Sequence, residues 1–167
     1  MNHEEQKLQM QCVAWFRAQY PQYAMLLTHP INEGGRNTGK TGGIHKAEGT
    51  QAGVPDLLFF MPVYNAPLGL DDDQRKEYGM SHGLGIEFKT KKGTQSQAQK
   101  DFERIFRSAG YGYAVIRNFE DFRTLLSSWI GWAGKELRTK IASSHVEIEQ
   151  AARQREKEKF RKVIGKK

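Results

Sequence analysis

Three residues carry the clearest chemical possibility in this chain. Asp56 stands directly after Gly53-Val54-Pro55, at the start of the apolar run Leu57-Leu58-Phe59-Phe60-Met61. Glu87 and Lys89 lie two apart within Leu84-Gly85-Ile86-Glu87-Phe88-Lys89, an alternating stretch of strand length. Side chains alternate along a strand, so both project from one face. A charged group inside an otherwise apolar strand is costly unless it is paired or bound to a metal. Two carboxylates converging from adjacent strands supply the hard oxygen ligands that Mg²⁺ prefers. A neighbouring lysine can hold or polarise an attacking water and offset the charge of a phosphate. The same residues admit a plainer reading, a buried ion pair of Lys89 with Glu87 or Asp56 and no chemistry.

Two helices offer further polar groups. Glu5 falls on the same helical stripe as Leu8, Cys12 and Phe16, which turns it inward. Gln99 lies one turn before Phe102, on the inward face of a later helix. Ser96-x-x-Gln99 is also a capping box, in which the glutamine closes the helix N-terminus, and both roles are compatible. A different motif, Gly34-Gly35-Arg36-Asn37-Thr38-Gly39-Lys40-Thr41, matches the phosphate-cradling G-x-x-x-x-G-K-T loop. That loop needs a strand before it and a helix N-terminus after it. Gly42-Gly43-Ile44-His45-Lys46 starts no convincing helix, and no apolar strand ending in an acid is available as its partner. A flexible basic loop is the better reading.

The elements that must position these groups follow from periodicity. Residues 3–20 read as a helix with Leu8, Cys12, Trp15 and Phe16 on one stripe, stopped by Pro21. Met25 to Thr28 reads as a short strand, and the seven glycines between Asn32 and Gly53 mark a loop. Leu57–Met61 reads as a strand buried on both faces. Residues 62–83, with two prolines and Asp71-Asp72-Asp73, read as an excursion outside the core. Leu84–Lys89 is a second core strand. Residues 96–109 form a helix with Phe102, Ile105, Phe106 and Ala109 inward, and Tyr113–Arg117 is the next strand. A helix over 119–132 packs through Phe122, Leu125, Leu126, Trp129 and Ile130. From about Ser144 the tail is a charged, weakly amphipathic helix. This interleaving predicts an α/β fold with helices on the faces of a sheet.

Composition narrows the setting. A chain of 167 residues, 38% hydrophobic and 27% charged, suits one globular domain. No apolar run approaches the roughly 20 residues of a membrane span, and the polar N-terminus leads into no signal-peptide core. We therefore expect a cytoplasmic protein. The single cysteine, Cys12, excludes an internal disulfide and a multi-cysteine zinc site. His3, His29, His45, His82 and His145 show no ligand spacing. The net charge of +7 favours a polyanionic partner. Residues 135–167 carry 11 Lys/Arg against 5 Asp/Glu, while residues 1–134 are nearly balanced. The tail therefore reads equally as a solvated helix or as a nucleic-acid contact. Trp15, Trp129 and Trp132 read as core, and Tyr111 and Tyr113 pack or stack on a base. Asp71-Asp72-Asp73 reads as a solvated acidic turn.

Pro55-Asp56, the gap of 30 residues and Glu87-Phe88-Lys89 resemble the PD-(D/E)xK nuclease motif. The surrounding text is more specific. Glu5-x-x-Leu8-Gln9, Gly49-x-x-x-Gly53-Val54-Pro55-Asp56-Leu57, Gly83-Leu84-Gly85-Ile86-Glu87-Phe88-Lys89, Ser96-x-x-Gln99 and Gly110-Tyr111 together resemble the virus-type replication-repair nuclease family (VRR-NUC) in its small stand-alone form. The likeness covers residues 4–130 or so. It implies a restriction-endonuclease-like core, a mixed central sheet flanked by helices, over residues 1–134, with 135–167 as a basic C-terminal helical extension.

The resemblance further implies a Mg²⁺ or Mn²⁺ site held by Asp56, Glu87 and the backbone carbonyl of Phe88, with Glu5 bearing on the metal directly or through water. Lys89 would be the catalytic lysine and Gln99 its supporting glutamine. The stretch from His29 through Asn32 to Arg36 is similar to the family's DNA-approaching loop, and Arg36, Lys40, Lys46, Lys91 and Lys92 would contact phosphates. Stand-alone relatives look like homodimers that cut branched DNA such as four-way junctions, leaving 5′-phosphates, in a bacterial or phage-infected cell. Residues 62–83 are longer than the simple hairpin of the family, and the tail lies beyond its core. A less structure-selective endonuclease or nickase is the alternative among enzymes, and a non-catalytic DNA-binding module that kept the fold is the alternative of another class.

Overall fold

Four short apolar segments share one sheet. In the computed structural model, which describes residues 3–30, 47, 49–65, 71, 74, 76 and 79–164, these are β1 (Leu27–Thr28), β2 (Leu57–Phe59), β5 (Leu84–Phe88) and β6 (Gly112–Ile116). Their order is β1-β2-β5-β6. β2 runs antiparallel to both β1 and β5, whereas β5 and β6 are parallel. A parallel pair requires a crossover, supplied here by α2 (Gln97–Ser108). The sheet is mixed and flanked by helices, as expected. Every residue of β5 is buried, which marks it as the central strand.

The two faces of the sheet differ in kind. Leu57, Phe59, Leu84, Ile86 and Phe88 join Cys12 and Phe16 of α1 (His3–Gln19) and Phe122, Leu126 and Trp129 of α3 (Phe119–Trp132) in the main core. Phe16 meets Phe59 edge-on at 5.3 Å, and Phe88 stacks with Phe122 at 6.0 Å. Trp15, half-buried, sits edge-on to Tyr20, Phe119 and Phe122 and ties the two helices together. The opposite face is lined by Gly85 and Glu87 and is covered by α2. A side chain at Gly85 would press on Pro55, Phe106 and Tyr113 at 3.0–3.1 Å, so glycine sets this close approach.

Several expectations are corrected. Met25 belongs to a 3₁₀ turn, Pro21–Leu26, that buries Tyr23 and leaves Met25 77% exposed, so only Leu27–Thr28 is strand. β2 ends at Phe59, whose partner Leu84 is the first residue of β5; the next amide, Phe60 N–H, bonds back to Leu26 and its ring is exposed. On α2, Phe102 and Phe106 are one turn apart and half-buried, while Ile105 points away and is 71% exposed; Ala109 is exposed as well. The segment 62–83 is not wholly an excursion. β3 (Val63–Tyr64) pairs with β4 (Met80–Ser81), and Val63 is buried in the core. The final helix, α4, spans Lys135–Ile164 and begins before the charged stretch from about Ser144, because Leu137 and Ile141 pack one turn apart against the core.

The indole of Trp129 donates a buried 2.8 Å hydrogen bond to the carbonyl of Met61, which anchors the start of the β3–β4 segment to α3. Trp129→Phe leaves that carbonyl unpaired, and a loss of about 1–3 kcal/mol in urea unfolding is expected.

Candidate active site

The pairing of Leu57 with Ile86 places Asp56, immediately before β2, next to Glu87 of β5. Local sequence explains why Asp56 arrives there. Gly53 has φ +87°, and a Cβ at this position would lie 2.2 Å from the carbonyl oxygen of Ala98 in the first turn of α2. Only glycine lets the Gly53-Val54-Pro55-Asp56 turn lie directly on that helix, and Pro55 is itself buried. The backbone N–H of Phe88 then donates to Asp56 Oδ2 at 2.8 Å. Burial raises the pKa of Asp56, and this amide and the charge of Lys89 oppose the rise.

Glu87 is the most enclosed charged group among the described residues, 1% exposed. Its Oε1 accepts from the Lys89 ammonium and, at 2.6 Å, from Gln99 Nε2. Its Oε2 is buried and has no hydrogen-bond partner among the described residues. Burial pushes the Glu87 carboxyl up to about 7, resisted by the Lys89 hydrogen bond and reinforced by the charges of Asp56 and Glu5. Gln99 closes the capping box expected of it and also reaches Glu87. Its Oε1 accepts from Ser96 N–H at 2.8 Å while the Ser96 hydroxyl accepts from Gln99 N–H, closing the capping box around α2. The helix cap thereby fixes the amide that reaches Glu87.

Two further groups flank this pair. Glu5, buried on α1, accepts from the Thr90 N–H at 3.0 Å, just beyond Lys89. His29 Nδ1 lies 2.6 Å from the carbonyl oxygen of Asp56, so this nitrogen carries the proton and donates; Gln9 Nε2 approaches the same nitrogen at 3.3 Å. Lys91 and Lys92 are exposed on the turn that follows. Asn32, Arg36, Lys40 and Lys46, with the whole G-x-x-x-x-G-K-T stretch, lie outside the described residues. The structure thus brings together Asp56, Glu87, Lys89 and Gln99, with Glu5 and His29 at their margin.

Sequence reasoning overlooked Arg117. Its guanidinium donates to the carbonyls of Thr90 at 2.6 Å and Gly93 at 2.8 Å, bracing the turn that carries Lys91 and Lys92. No local pattern marks such a contact, since its acceptors are backbone atoms more than 20 residues away. Tyr113 is 5% exposed and packs on the site face, out of reach of a base. Tyr111 stacks on Phe106 at 4.3 Å. Burial pushes the Cys12 thiol up to about 12, so it offers no nucleophile.

The donor set fits a hard cation of modest demand. Among the described residues no three His, Cys, Asp or Glu side chains cluster closely enough to enclose a metal. Two carboxylates, one with a buried oxygen that is unpartnered among the described residues, suit an ion that keeps several waters, as Mg²⁺ does.

Neither a protein-family model nor a curated protein matches this chain. A solved structure does: a VRR_NUC domain protein, 18% identical, superposes with a TM-score of 0.61 over 80% of this chain and 93% of that one. The fold is VRR-NUC-like. What the VRR-NUC-like fold shares with that neighbour at this identity is the arrangement of strands and helices. The placing of Asp56, Glu87 and Lys89 on its sheet rests on the geometry above.

The raised Glu87 carboxyl makes stability depend on pH. The folded protein holds a proton up to about pH 7 that an ordinary glutamate releases near 4.5. The stabilisation is full below pH 4.5 and is lost as pH rises through 7. In EDTA, wild type is expected to lose about 1–3 kcal/mol relative to Glu87→Gln between pH 5 and pH 8, read by urea unfolding.

Proposed function

We propose that this chain is a Mg²⁺- or Mn²⁺-dependent endonuclease that hydrolyses phosphodiester bonds in branched DNA, working as a homodimer on four-way junctions. The observation that carries the reading is the buried, half-satisfied Glu87 carboxylate facing Asp56, with Lys89 and Gln99 both on its other oxygen. The VRR_NUC domain protein among solved structures supports the same reading.

Asp56, Glu87 through Oε2 and the Phe88 carbonyl would hold the ion, with Glu5 acting directly or through a water. Such an ion polarises a phosphoryl oxygen and lowers the pKa of a bound water. Gln99 holds Glu87 in one rotamer, and its cap on α2 keeps that amide in place. The Phe88 N–H orients Asp56, and His29 steadies the Asp56 backbone. Lys89 donates one N–H hydrogen bond to Glu87 and has two more N–H groups with which to hold the attacking water and meet the charge growing on phosphorus. Water adds to phosphorus, the 3′-oxygen leaves with a proton, and the products are a 5′-phosphate and a 3′-hydroxyl. His29, Asn32, Arg36, Lys40, Lys46, Lys91 and Lys92 contact the backbone, which fixes position and carries no sequence information. Two sites related by a two-fold axis suit a junction of near two-fold symmetry.

The test is cleavage of an end-labelled four-way junction, a linear duplex and a single strand in Mg²⁺, Mn²⁺ or EDTA. Metal-dependent cutting of the junction is expected, lost in Asp56→Ala and reduced at least about 100-fold in Lys89→Ala. Equal cutting of every substrate transfers the function to an unselective endonuclease. Binding without cleavage in either metal leaves a DNA-binding module.

A further inference from the structure

The end of α4 is not buried against the rest of the fold. Leu137 and Ile141 pack on the core, and the helix lies along the 3₁₀ turn through Ile141, His145 and Ile148. Beyond Ala151 every residue to Lys162 is exposed, so the helix continues for about 16 Å without burying a side chain. An unpacked helix of this length is marginal on its own. This one is built from strong helix formers, with Glu149 paired to Arg153 at 3.7 Å and Arg161 and Lys162 at its C-terminal, negative end. Its helicity is therefore maintained by the sequence and not by the core.

Charge indicates what such an arm meets. Residues 152–162 hold six Lys/Arg and two Glu. Arg153, Lys157 and Arg161 recur every four residues and so share one face over about 12 Å. Phe160 is the one large apolar side chain between 150 and 162, so neither a coiled-coil seam nor a membrane-inserting face is present there. Residues 1–134 are close to neutral, and most of the net charge lies in this tail. A narrow, regularly spaced row of cations on a projecting rod fits the phosphate backbone of a duplex.

We propose that the exposed second half of α4 is a duplex-DNA arm in which Arg153, Lys157 and Arg161 contact backbone phosphates outside the cleavage site. The inference rests on DNA being the substrate and adds where much of the sequence-independent affinity arises. Each phosphate contact contributes about 0.9 to the slope of log affinity against log salt.

The test measures binding of the full chain to a labelled duplex in EDTA across a salt series, beside cleavage by wild type in Mg²⁺. The triple variant Arg153→Gln, Lys157→Gln, Arg161→Gln is compared with Lys7→Gln, Arg104→Gln, Arg123→Gln, which removes the same charge from exposed positions on the other helices. Circular dichroism and light scattering establish that fold and mass are unchanged. The arm variant is expected to flatten the slope by close to three, with the control near wild type. An unchanged slope in the arm variant overturns the arm, as does an equal fall in the control, which would mean that net charge alone matters. A change of mass with an unchanged slope also overturns it, since the arm would then hold a second copy. Wild type that cuts DNA while the arm variant binds normally defeats the arm alone. Wild type that binds through the arm but cuts nothing defeats the nuclease reading alone.

Discussion

A carboxylate buried in the central strand is the constraint on which the rest of this structure depends. Glu87 lies in a strand with no exposed residue, and an unpaired charge there would carry a penalty of several kcal/mol. The protein offsets that penalty on one oxygen only. Lys89, just past the end of the same strand, and Gln99, from the crossover helix, both donate to Oε1. Oε2 is left buried and, among the described residues, unpartnered. A fold selected for stability alone would fill that position or replace the group with an apolar one. An open oxygen at this place is what the proposed metal site would use.

The mixed sheet explains how the donors reach one place. The antiparallel β2–β5 pair sets Asp56 opposite Glu87. The parallel β5–β6 pair forces the chain through α2, whose first turn carries Gln99. Gly53 lets the turn before Asp56 lie against that same first turn, so the carboxylate and the amide are located by one backbone contact. On the other face, α1 buries Cys12 and Phe16 while its first turns present Glu5 and Gln9 toward the end of the sheet. Core packing and site construction therefore use opposite faces of the same strands.

Much of this was legible because it depends on short-range periodicity. The alternation of Leu84–Lys89 places Glu87 and Lys89 together, the stripe of α1 turns Glu5 inward, and Ser96-x-x-Gln99 announces a cap. What escaped depends on contacts distant in sequence or on small angular offsets. Ile105 is one residue from Phe106, and 100° of helix rotation carries it into solvent. Phe60 continues an apolar run but has lost its strand partner. Arg117 and His29 act on backbone carbonyls 24–27 residues away, which no motif encodes. Val63 reaches the core because Trp129 anchors the neighbouring Met61 carbonyl, so a segment rich in turn residues was misjudged as external.

Calorimetric titration of Mn²⁺ into the wild-type protein and into Glu87→Gln, with Asp56→Asn beside them, tests the central claim most directly. A saturable isotherm is expected in wild type and its loss in both variants, with circular dichroism unchanged. Equal binding by all three, or none by wild type through the millimolar range, would contradict the claim that this half-satisfied carboxylate is a metal ligand.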